Sequence, residues 1–239
     1  MSFPDDSIQY LVEDDGWWIK NTEANLVRGA LIWAFVYQID QLPYTFVPVS
    51  RSKAREHDKA VVAVAELKIG EHLQRDQLPV AGMTTYKGEC WVANKAKLRP
   101  CIVWSANCSN VDKSLTIGKP KGSTAPTYLV APFYGIDAGI NRAGYSEAFV
   151  QRVRHCEYPQ FHWDMIPDSN SSKESILRLD HMQPVGAHSK SYRLSDYKLS
   201  EAALEILDDQ YTWLTRGGLP EKSIILDFQE LMQEFDTSE

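Results

Sequence analysis

The sequence has few cysteines and no long hydrophobic run. Its four cysteines are scattered among 239 residues, without the closely spaced pairs that hold zinc or build the disulfide framework of a small secreted domain. No stretch approaches the roughly 18 consecutive apolar residues of a membrane-spanning helix. The first residues, MSFPDDSIQYLVEDD, are acidic where a secretory signal is basic and then apolar. We therefore expect reduced thiols, a cytoplasmic location and no membrane association.

A recognisable metal-binding motif is also missing. His155, Cys156 and His162 lie close together in the chain, but their spacing matches neither a Cys-x-x-Cys nor a His-x-x-x-His pair. We expect no metal ion and no other cofactor.

Negative charge is in excess but unevenly distributed. The net charge of −7 at pH 7 argues against nucleic-acid binding, because contacts to phosphate favour basic surfaces. Residues 221–239 hold six acidic residues and one lysine, whereas residues 87–121 hold seven basic and two acidic residues. The basic stretch is either a set of ordinary solvated side chains or a surface for an acidic ligand.

Short runs rich in Val, Ile, Tyr and Trp alternate with turn residues through most of the chain and predict β-strands. The runs span residues 30–37, 44–49, 60–65, 89–92, 101–105, 128–133, 148–153 and 176–182. Strands of this length and spacing favour a small barrel. The hydrophobic content of 44% is enough for a sizeable core.

The C-terminal part changes to a helical pattern. Ser200 is placed to cap a helix whose apolar residues recur near every 3.6 positions, until Gly217 and Gly218 end it. After Pro220 a second amphipathic pattern begins at Ile224, and its other face is acidic. The expected fold is therefore mainly β with C-terminal α-helices, α+β overall.

Arg178 and Asp180 lie two residues apart in the segment SILRLDHMQPV, residues 175–185. On an extended strand alternate side chains share a face, so both would point outward while Leu177 and Leu179 point inward. A fixed cation beside a fixed carboxylate can hold a phosphate and accept a proton, which is the minimal equipment for cleaving RNA through its own 2'-hydroxyl. The alternative is a surface ion pair without chemistry, worth under about 1 kcal/mol.

Several motifs then occur in a recognisable order. They are KGECWVA (87–93), RPCIVWS (99–105), YLVAPFYG (128–135), and SILRLDHMQPV followed by YKLSEAALEILDDQYTWL (197–214). In this order and spacing the chain resembles the PemK/MazF family of toxin ribonucleases over about residues 85–216. That family has a Gly-acid-x-x-Trp strand, an Arg-Pro strand, an apolar strand ending in Pro-x-Thr, and an Arg-x-Asp-Gln strand before a C-terminal helix.

The resemblance implies an SH3-like barrel that cuts single-stranded mRNA without a metal ion and inhibits growth as the toxin of a toxin-antitoxin system. Family members usually act as homodimers held silent by an antitoxin protein. On matching positions, Asp180 would be the general base on the 2'-hydroxyl, and Arg178 would stabilise the phosphate and protonate the leaving oxygen. Arg99 would contact the scissile phosphate. The products would be a 2',3'-cyclic phosphate and a 5'-hydroxyl.

Two departures from the family pattern affect the expected activity. The substrate-binding loop between the first two barrel strands is effectively missing, because only seven residues separate Trp91 from Arg99. Tyr134 stands where a small hydroxyl is usual, and it could donate to phosphate or stack on a base.

Further candidates for substrate binding, besides Tyr134, are three residues of the basic stretch, Lys97, Lys119 and Lys121. His181 falls with the inward-facing leucines in the strand alternation, so we expect a packed histidine rather than a base. The alternative to an enzyme is a non-catalytic barrel that binds RNA or a protein partner.

These expectations divide the chain into three parts. Residues 1–84 form a β-rich N-terminal extension, whose segment 28–50 shares a pattern with 87–105 and could be a partial barrel repeat. Residues 85–218 form the barrel with its helix, and residues 219–239 form an acidic tail helix that either mimics RNA or caps the barrel. The extension could cover the surface through which family dimers pair, so a monomer is the alternative to a homodimer.

Overall fold

The computed structural model describes residues 3–12, 16–56, 59–70, 88–105, 111–116, 127–137, 144–167 and 173–236. Within these ranges the fold is mainly β and α+β overall, as the sequence predicts. The strands are β1 (Trp18–Lys20), β2 (Ala30–Tyr37), β3 (Tyr44–Arg51), β4 (Ala60–Glu66), β5 (Ala96–Ser105), β6 (Thr127–Gly135), β7 (Phe161–Ile166), β8 (Lys173–Arg178), β9 (Gln183–Gly186) and β10 (Tyr192–Leu199). The α-helices are α1 (Glu147–Arg154), α2 (Glu201–Arg216) and α3 (Ile224–Asp236), and short 3-10 helices lie at Ile8–Val12, Lys113–Thr116 and Leu179–His181.

The chain divides into two compact units. The larger unit comprises Met1–Phe35 and Leu98–Glu239, and the smaller unit comprises Val36–Lys97. In the smaller unit β3 and β4 form an antiparallel hairpin, in which Tyr44 lies opposite Glu66.

A sheet with the strand order β1-β10-β2-β5-β6-β8-β7 organises the larger unit. β1 pairs antiparallel with β10, so the first and last strands of the chain are neighbours. β6 changes partner along its length: its first half pairs with β9, with Thr127 opposite Gly186, and its second half pairs with β8, with Tyr134 opposite Ile176. The chain must therefore turn between β8 and β9 beside this change of partner, and the 3-10 helix Leu179–His181 makes that turn.

The core of the larger unit is built from the sheet together with α2 and α3. Its largest buried side chains include Trp17, Phe133 and Trp163, together with Leu207 of α2 and Phe228 of α3, all at most 2% exposed. Burying one such side chain contributes about 1.5–3 kcal/mol relative to leaving it exposed. The burial of these side chains holds α2 and α3 to the sheet.

The predicted bounds of α2 are confirmed. Ser200 Oγ accepts a hydrogen bond from the Ala203 N–H at 3.2 Å, which satisfies one of the amides left without a helical partner in the first turn. Gly217 ends the helix with φ 84° and ψ 8°, a left-handed conformation that costs glycine little because it has no Cβ. α3 confirms the second amphipathic helix. None of the α-helices in the described ranges is long and apolar enough to cross a membrane.

Three of the predicted strands differ from the structure. Residues 148–153 lie in α1, because Ser146 caps a helix and the buried Val150 and Val153 recur at helical rather than alternate spacing. Residues 89–92 form no strand. The run 176–182 is a strand only as far as the end of β8, and it then becomes the 3-10 helix.

A buried histidine ties the N-terminal segment to β7 and α2. His162 on β7 stacks on Trp17, with ring centroids 5.1 Å apart and planes 9° apart. Gln9 donates to His162 Nε2 at 3.0 Å, and His162 Nδ1–H donates to Gln210 Oε1 at 2.9 Å. Burial disfavours the charged imidazolium and lowers the pKa of His162 to about 4, so the ring is neutral and serves as a structural link.

A buried aspartate continues this network on the same strand. Asp164 is 1% exposed, and its two oxygens accept indole N–H hydrogen bonds from Trp17 and Trp18, each 3.0 Å long. Burial raises the pKa of Asp164 to about 7, although the hydrogen bonds from the two indoles and from the Met165 backbone act in the opposite direction. The two tryptophans therefore anchor β1 to β7 through one carboxyl group.

Candidate functional site

The candidate site surrounds the 3-10 helix that joins β8 to β9. Leu179, its first residue, is 2% exposed and its N–H donates to Gln160 O at 3.0 Å. Because Leu179 is anchored in the core, the helical turn carries Asp180 and His181 back towards Arg178, the last residue of β8. Three polar side chains of one short segment therefore meet at the surface.

Arg178 and Asp180 form a two-point ion pair. Arg178 Nε donates to Asp180 Oδ1 at 2.7 Å, and Nη2 donates to Oδ2 at 2.6 Å. Partial burial favours the neutral carboxyl group, but the hydrogen bonds and charge of Arg178 outweigh it and hold the pKa of Asp180 below its ordinary value. Partial burial also acts against the charged guanidinium, yet Asp180 raises the pKa of Arg178. Both groups are charged at neutral pH.

His181 is part of the same cluster, which corrects the expectation that it packs inward. Its Nε2 lies 2.8 Å from Arg178 Nη2, and its Nδ1 lies 2.8 Å from the Tyr134 hydroxyl. Because a guanidinium only donates, Nε2 must accept, so the ring is neutral and its hydrogen sits on Nδ1. Nδ1–H then donates to the Tyr134 oxygen, and the phenol hydrogen acts as a donor in another direction.

Tyr134 and Arg99 complete the cluster from two neighbouring strands. Cys101 on β5 lies opposite Pro132 on β6, and two further steps along this antiparallel ladder bring Arg99 opposite Tyr134. The Arg99 guanidinium lies 3.9 Å from the Tyr134 ring centroid, and the Arg178 guanidinium lies 5.7 Å from it. Cation–π attraction of this kind contributes about 0.5–1 kcal/mol at exposed sites.

The structure therefore brings together four of the residues singled out in the sequence, Arg99, Tyr134, Arg178 and Asp180. Lys97 is an exposed residue of β5 in the smaller unit. Lys119 and Lys121 lie outside the described residues.

His181 is the residue that the sequence reasoning missed. Its signal in the sequence is the three-residue spacing from Arg178, which brings two side chains onto one side of a helical turn but separates them on a strand.

The arrangement is suited to a phosphodiester. The Asp180 carboxylate contacts the Arg178 guanidinium, and a phenol and a second guanidinium belong to the same chain of contacts. Arginine binds phosphate oxygens through planar, paired hydrogen bonds. Arg178 uses Nε and Nη2 for its neighbours, and Nη1 makes none of these contacts. The carboxylate can accept a proton while the guanidinium groups stabilise negative charge on phosphate.

His155, Cys156 and His162, the three residues considered for a metal site, have three different environments. His162 is held by two glutamines, His155 Nε2 lies 3.7 Å from Asp6, and burial raises the pKa of the Cys156 thiol to about 12. In the part of the chain that the structure describes, no three His, Cys, Asp or Glu side chains are grouped so as to hold a metal ion.

No protein-family profile, curated protein or solved structure matches this chain. The geometry of the cluster and the sequence motifs are therefore the basis for assigning a function.

Proposed function

We propose that the protein is a MazF/PemK-like endoribonuclease with an SH3-like barrel, which cleaves single-stranded RNA through the 2'-hydroxyl without a metal ion. The observation that carries this proposal is the hydrogen-bonded cluster of Asp180, Arg178, His181 and Tyr134, with Arg99 stacked on it. The cluster supplies a base, a phenol donor and two cations, which are the groups that this reaction needs.

In the proposed reaction Asp180 takes the proton of the 2'-hydroxyl as that oxygen attacks phosphorus. Arg178 and Arg99 stabilise the negative charge that builds up on the phosphate oxygens. The bond from phosphorus to the 5' oxygen breaks, which leaves a 2',3'-cyclic phosphate and a 5'-hydroxyl. Solvent then returns the protonation states to their starting point.

The proton for the leaving oxygen is better assigned to Tyr134 than to Arg178. The hydrogen bonds and charge of Asp180 outweigh partial burial and raise the pKa of Arg178, so the guanidinium holds its protons more firmly than an isolated one. The Tyr134 hydroxyl accepts from neutral His181 and is oriented as a donor.

The test is cleavage of a long single-stranded RNA in EDTA, with the new 5' ends mapped. Asp180→Asn should reduce the rate by about 100-fold to 10,000-fold, and Tyr134→Phe by a similar range, because each removes one proton-transfer group. Asp196→Asn is the matched control, since Asp196 is an exposed carboxylate on β10 of the same sheet. Undiminished cleavage by folded Asp180→Asn would rule out the mechanism, and loss of wild-type cleavage in EDTA would rule out its metal independence.

The second candidate function is a non-catalytic barrel that binds RNA or a protein partner. It is favoured by one observation: both oxygens of Asp180 already accept hydrogen bonds from Arg178, which makes the carboxylate a weak base. Binding of RNA without any cleavage would support this candidate.

The wider proposal is a cytoplasmic toxin that forms a homodimer and is silenced by an antitoxin protein. Expression of the wild-type chain should then arrest growth, and expression of Asp180→Asn at equal level should not. Harmless expression of both forms would favour the non-catalytic candidate.

A further inference from the structure

A group of aromatic rings lies beside the candidate site, on α1, on β7 and in the segments that flank α1. Phe161 lies 5.4 Å from Phe149, and Phe149 lies 5.1 Å from Tyr145 and 5.8 Å from Tyr158, measured between ring centroids. Phe149 is tilted by about 30° against both tyrosines and stands nearly perpendicular to Phe161. Phe161 and Tyr158 are also 6.0 Å apart, so the four rings form one group around Phe149, here called the aromatic cluster.

The aromatic cluster contacts the candidate site through Phe161. Phe161 lies directly opposite Arg178 in the pairing of β7 with β8, and the Arg178 guanidinium is 4.8 Å from its ring centroid. Tyr145 is one of the groups whose charge, when the phenol is ionised, would raise the pKa of Arg178. A group bound at Arg178 would therefore lie near the rings of both Phe161 and Tyr134.

Packing against the core accounts for the positions of three of the rings, but not for that of Tyr145. Phe149, Tyr158 and Phe161 are partly buried and pack against the core of the larger unit. Tyr145 keeps 40% of its surface exposed, although it is a large ring held against Phe149.

Positive charge lies on two rings of the aromatic cluster. The Arg178 guanidinium lies 4.8 Å from the Phe161 ring centroid, and the Arg152 guanidinium lies 5.1 Å from the Tyr158 ring centroid. Arg152 is paired with Glu157 through a 2.6 Å hydrogen bond, so its net contribution is smaller than that of Arg178. Single-stranded nucleic acids bind where bases stack on aromatic rings beside cations that follow the phosphates.

We propose that Tyr145, supported by Phe149, is a stacking platform for the base next to the phosphate held at Arg178. The proposal rests on the proposed function for the kind of ligand, a single-stranded RNA, and adds a binding site that the ribonuclease motifs do not contain. Tyr134 is less suited to this role, because Arg99 covers one face of its ring at 3.9 Å.

The test measures binding of a short fluorescein-labelled 2'-O-methyl RNA by anisotropy. This probe lacks the attacking hydroxyl, so the result does not depend on cleavage. A second probe of the same length carries abasic sugars, which keep the phosphates and remove the bases. Tyr145→Ala should weaken binding of the first probe by roughly 5-fold to 150-fold, as loss of one base–aromatic stack does, and leave binding of the second unchanged.

Two variants serve as controls. Tyr145→Phe keeps the ring and should bind the first probe within about twofold of wild type, because stacking needs the ring and not the hydroxyl. Tyr10→Ala removes a tyrosine of matched exposure, 43%, from the 3-10 helix Ile8–Val12 and should have no effect. The proposal that Tyr145 is a stacking platform would be wrong if Tyr145→Ala bound the first probe as tightly as wild type does, or if it lost equal affinity for both probes. It would also be wrong if the wild-type protein bound neither probe.

The platform and the proposed reaction can fail separately. If Asp180→Asn cleaves RNA as well as wild type while Tyr145→Ala loses binding, the reaction is wrong and the platform stands. If cleavage depends on Asp180 while Tyr145→Ala binds the uncleavable probe normally, only the platform is wrong.

Discussion

The larger unit holds two clusters that each combine a histidine, an aspartate and aromatic rings. In the buried cluster His162 and Asp164 are each 1% exposed, and their partners are glutamine amides and indole N–H groups. In the exposed cluster the side chains of His181 and Asp180 are each 32% exposed, and both contact the guanidinium of Arg178.

The same residue types acquire opposite electrostatics in the two places. Burial without a cation raises the pKa of Asp164 to about 7, whereas the hydrogen bonds and charge of Arg178 overcome partial burial and lower the pKa of Asp180. A buried carboxyl group is costly to ionise, because water no longer solvates the charge.

The buried cluster has a structural role, and the exposed cluster is the one to which the proposed chemistry is assigned. Neutral hydrogen bonds in a dry interior link elements of the fold, and they offer no charge to a ligand. A charged pair with access to water can exchange partners, so a phosphate can take the place of the carboxylate at the guanidinium. The next four predictions test this distinction, from the largest expected effect to the smallest.

Trp17→Ala should strongly destabilise the fold. It removes a buried indole, its stacking on His162 and one hydrogen bond to Asp164, and large-to-small changes of this kind cost about 3–5 kcal/mol. Urea unfolding measures the loss. Trp91→Ala, which removes a tryptophan that is 44% exposed, should cost under about 0.5 kcal/mol. A loss below about 1 kcal/mol for Trp17→Ala would contradict the structural role of the buried cluster.

Arg178→Ala should reduce cleavage more than it reduces stability. In the proposed reaction Arg178 stabilises the developing charge, so its removal should lower the cleavage rate by about 100-fold to 1,000-fold. The lost ion pair, whose side chains are 19% and 32% exposed, should cost about 1–3 kcal/mol of stability, less than Trp17→Ala does. Cleavage and unfolding are measured on the same preparation. Arg216→Ala, at the exposed end of α2, is the matched control and should change neither.

The buried cluster predicts two opposing effects of pH on stability. The pKa of Asp164 is raised from 3.8 to about 7 on folding, so its contribution is fully present below about pH 4 and is lost as pH rises through about 7. The pKa of His162 is lowered from 6.5 to about 4, so its contribution is present above pH 6.5 and is lost as pH falls through about 4. Between these values the two contributions oppose each other.

Single variants should reveal each slope. In Asp164→Asn the free energy of unfolding should rise between about pH 4 and 6.5, and in His162→Gln it should fall between about pH 4 and 7, each by up to about 1.4 kcal/mol per pH unit. Urea unfolding at a series of pH values measures both slopes against wild type. If the free energy of unfolding changed with pH in the same way in both variants, neither Asp164 nor His162 would have the shifted pKa that its burial implies.

Arg99→Lys should have the smallest effect. The substitution keeps the positive charge and loses the planar contact of the guanidinium with the Tyr134 ring. Loss of a cation–π contact worth about 0.5–1 kcal/mol should weaken RNA binding by roughly twofold to fivefold. Binding of the 2'-O-methyl probe measures this change, and Arg99→Ala, which removes the charge as well, should weaken it further. Equal affinities of the three proteins would remove Arg99 from the site.

Local pattern predicted some elements of the fold and failed on others. The bounds of β2 follow from one run of β-branched and aromatic residues, and α2 begins at Ser200 and ends at Gly217 because both caps are local. Residues 148–153, which lie in α1, are predicted as a strand because Phe149, Val150 and Val153 favour β structure by composition. In the structure the packing of the buried valines against the core overrides that preference.

The sequence predicts part of the candidate site, but from a strand geometry that differs from the structure. Arg178 and Asp180 do lie side by side, but a helical turn brings them together instead of the alternation of a strand. The same turn brings in His181, which strand alternation would have turned away.

The sequence by itself determined what depends on neighbouring residues: the strand-forming run of β2, the caps of α2, and the separation of Arg178 from Asp180. The tertiary structure decided which distant residues meet. Arg99 faces Tyr134 because of one register between β5 and β6, and the turn at Leu179 follows from its burial in the core. A backbone ladder accepts many registers, so only the packing of side chains from the whole unit selects one.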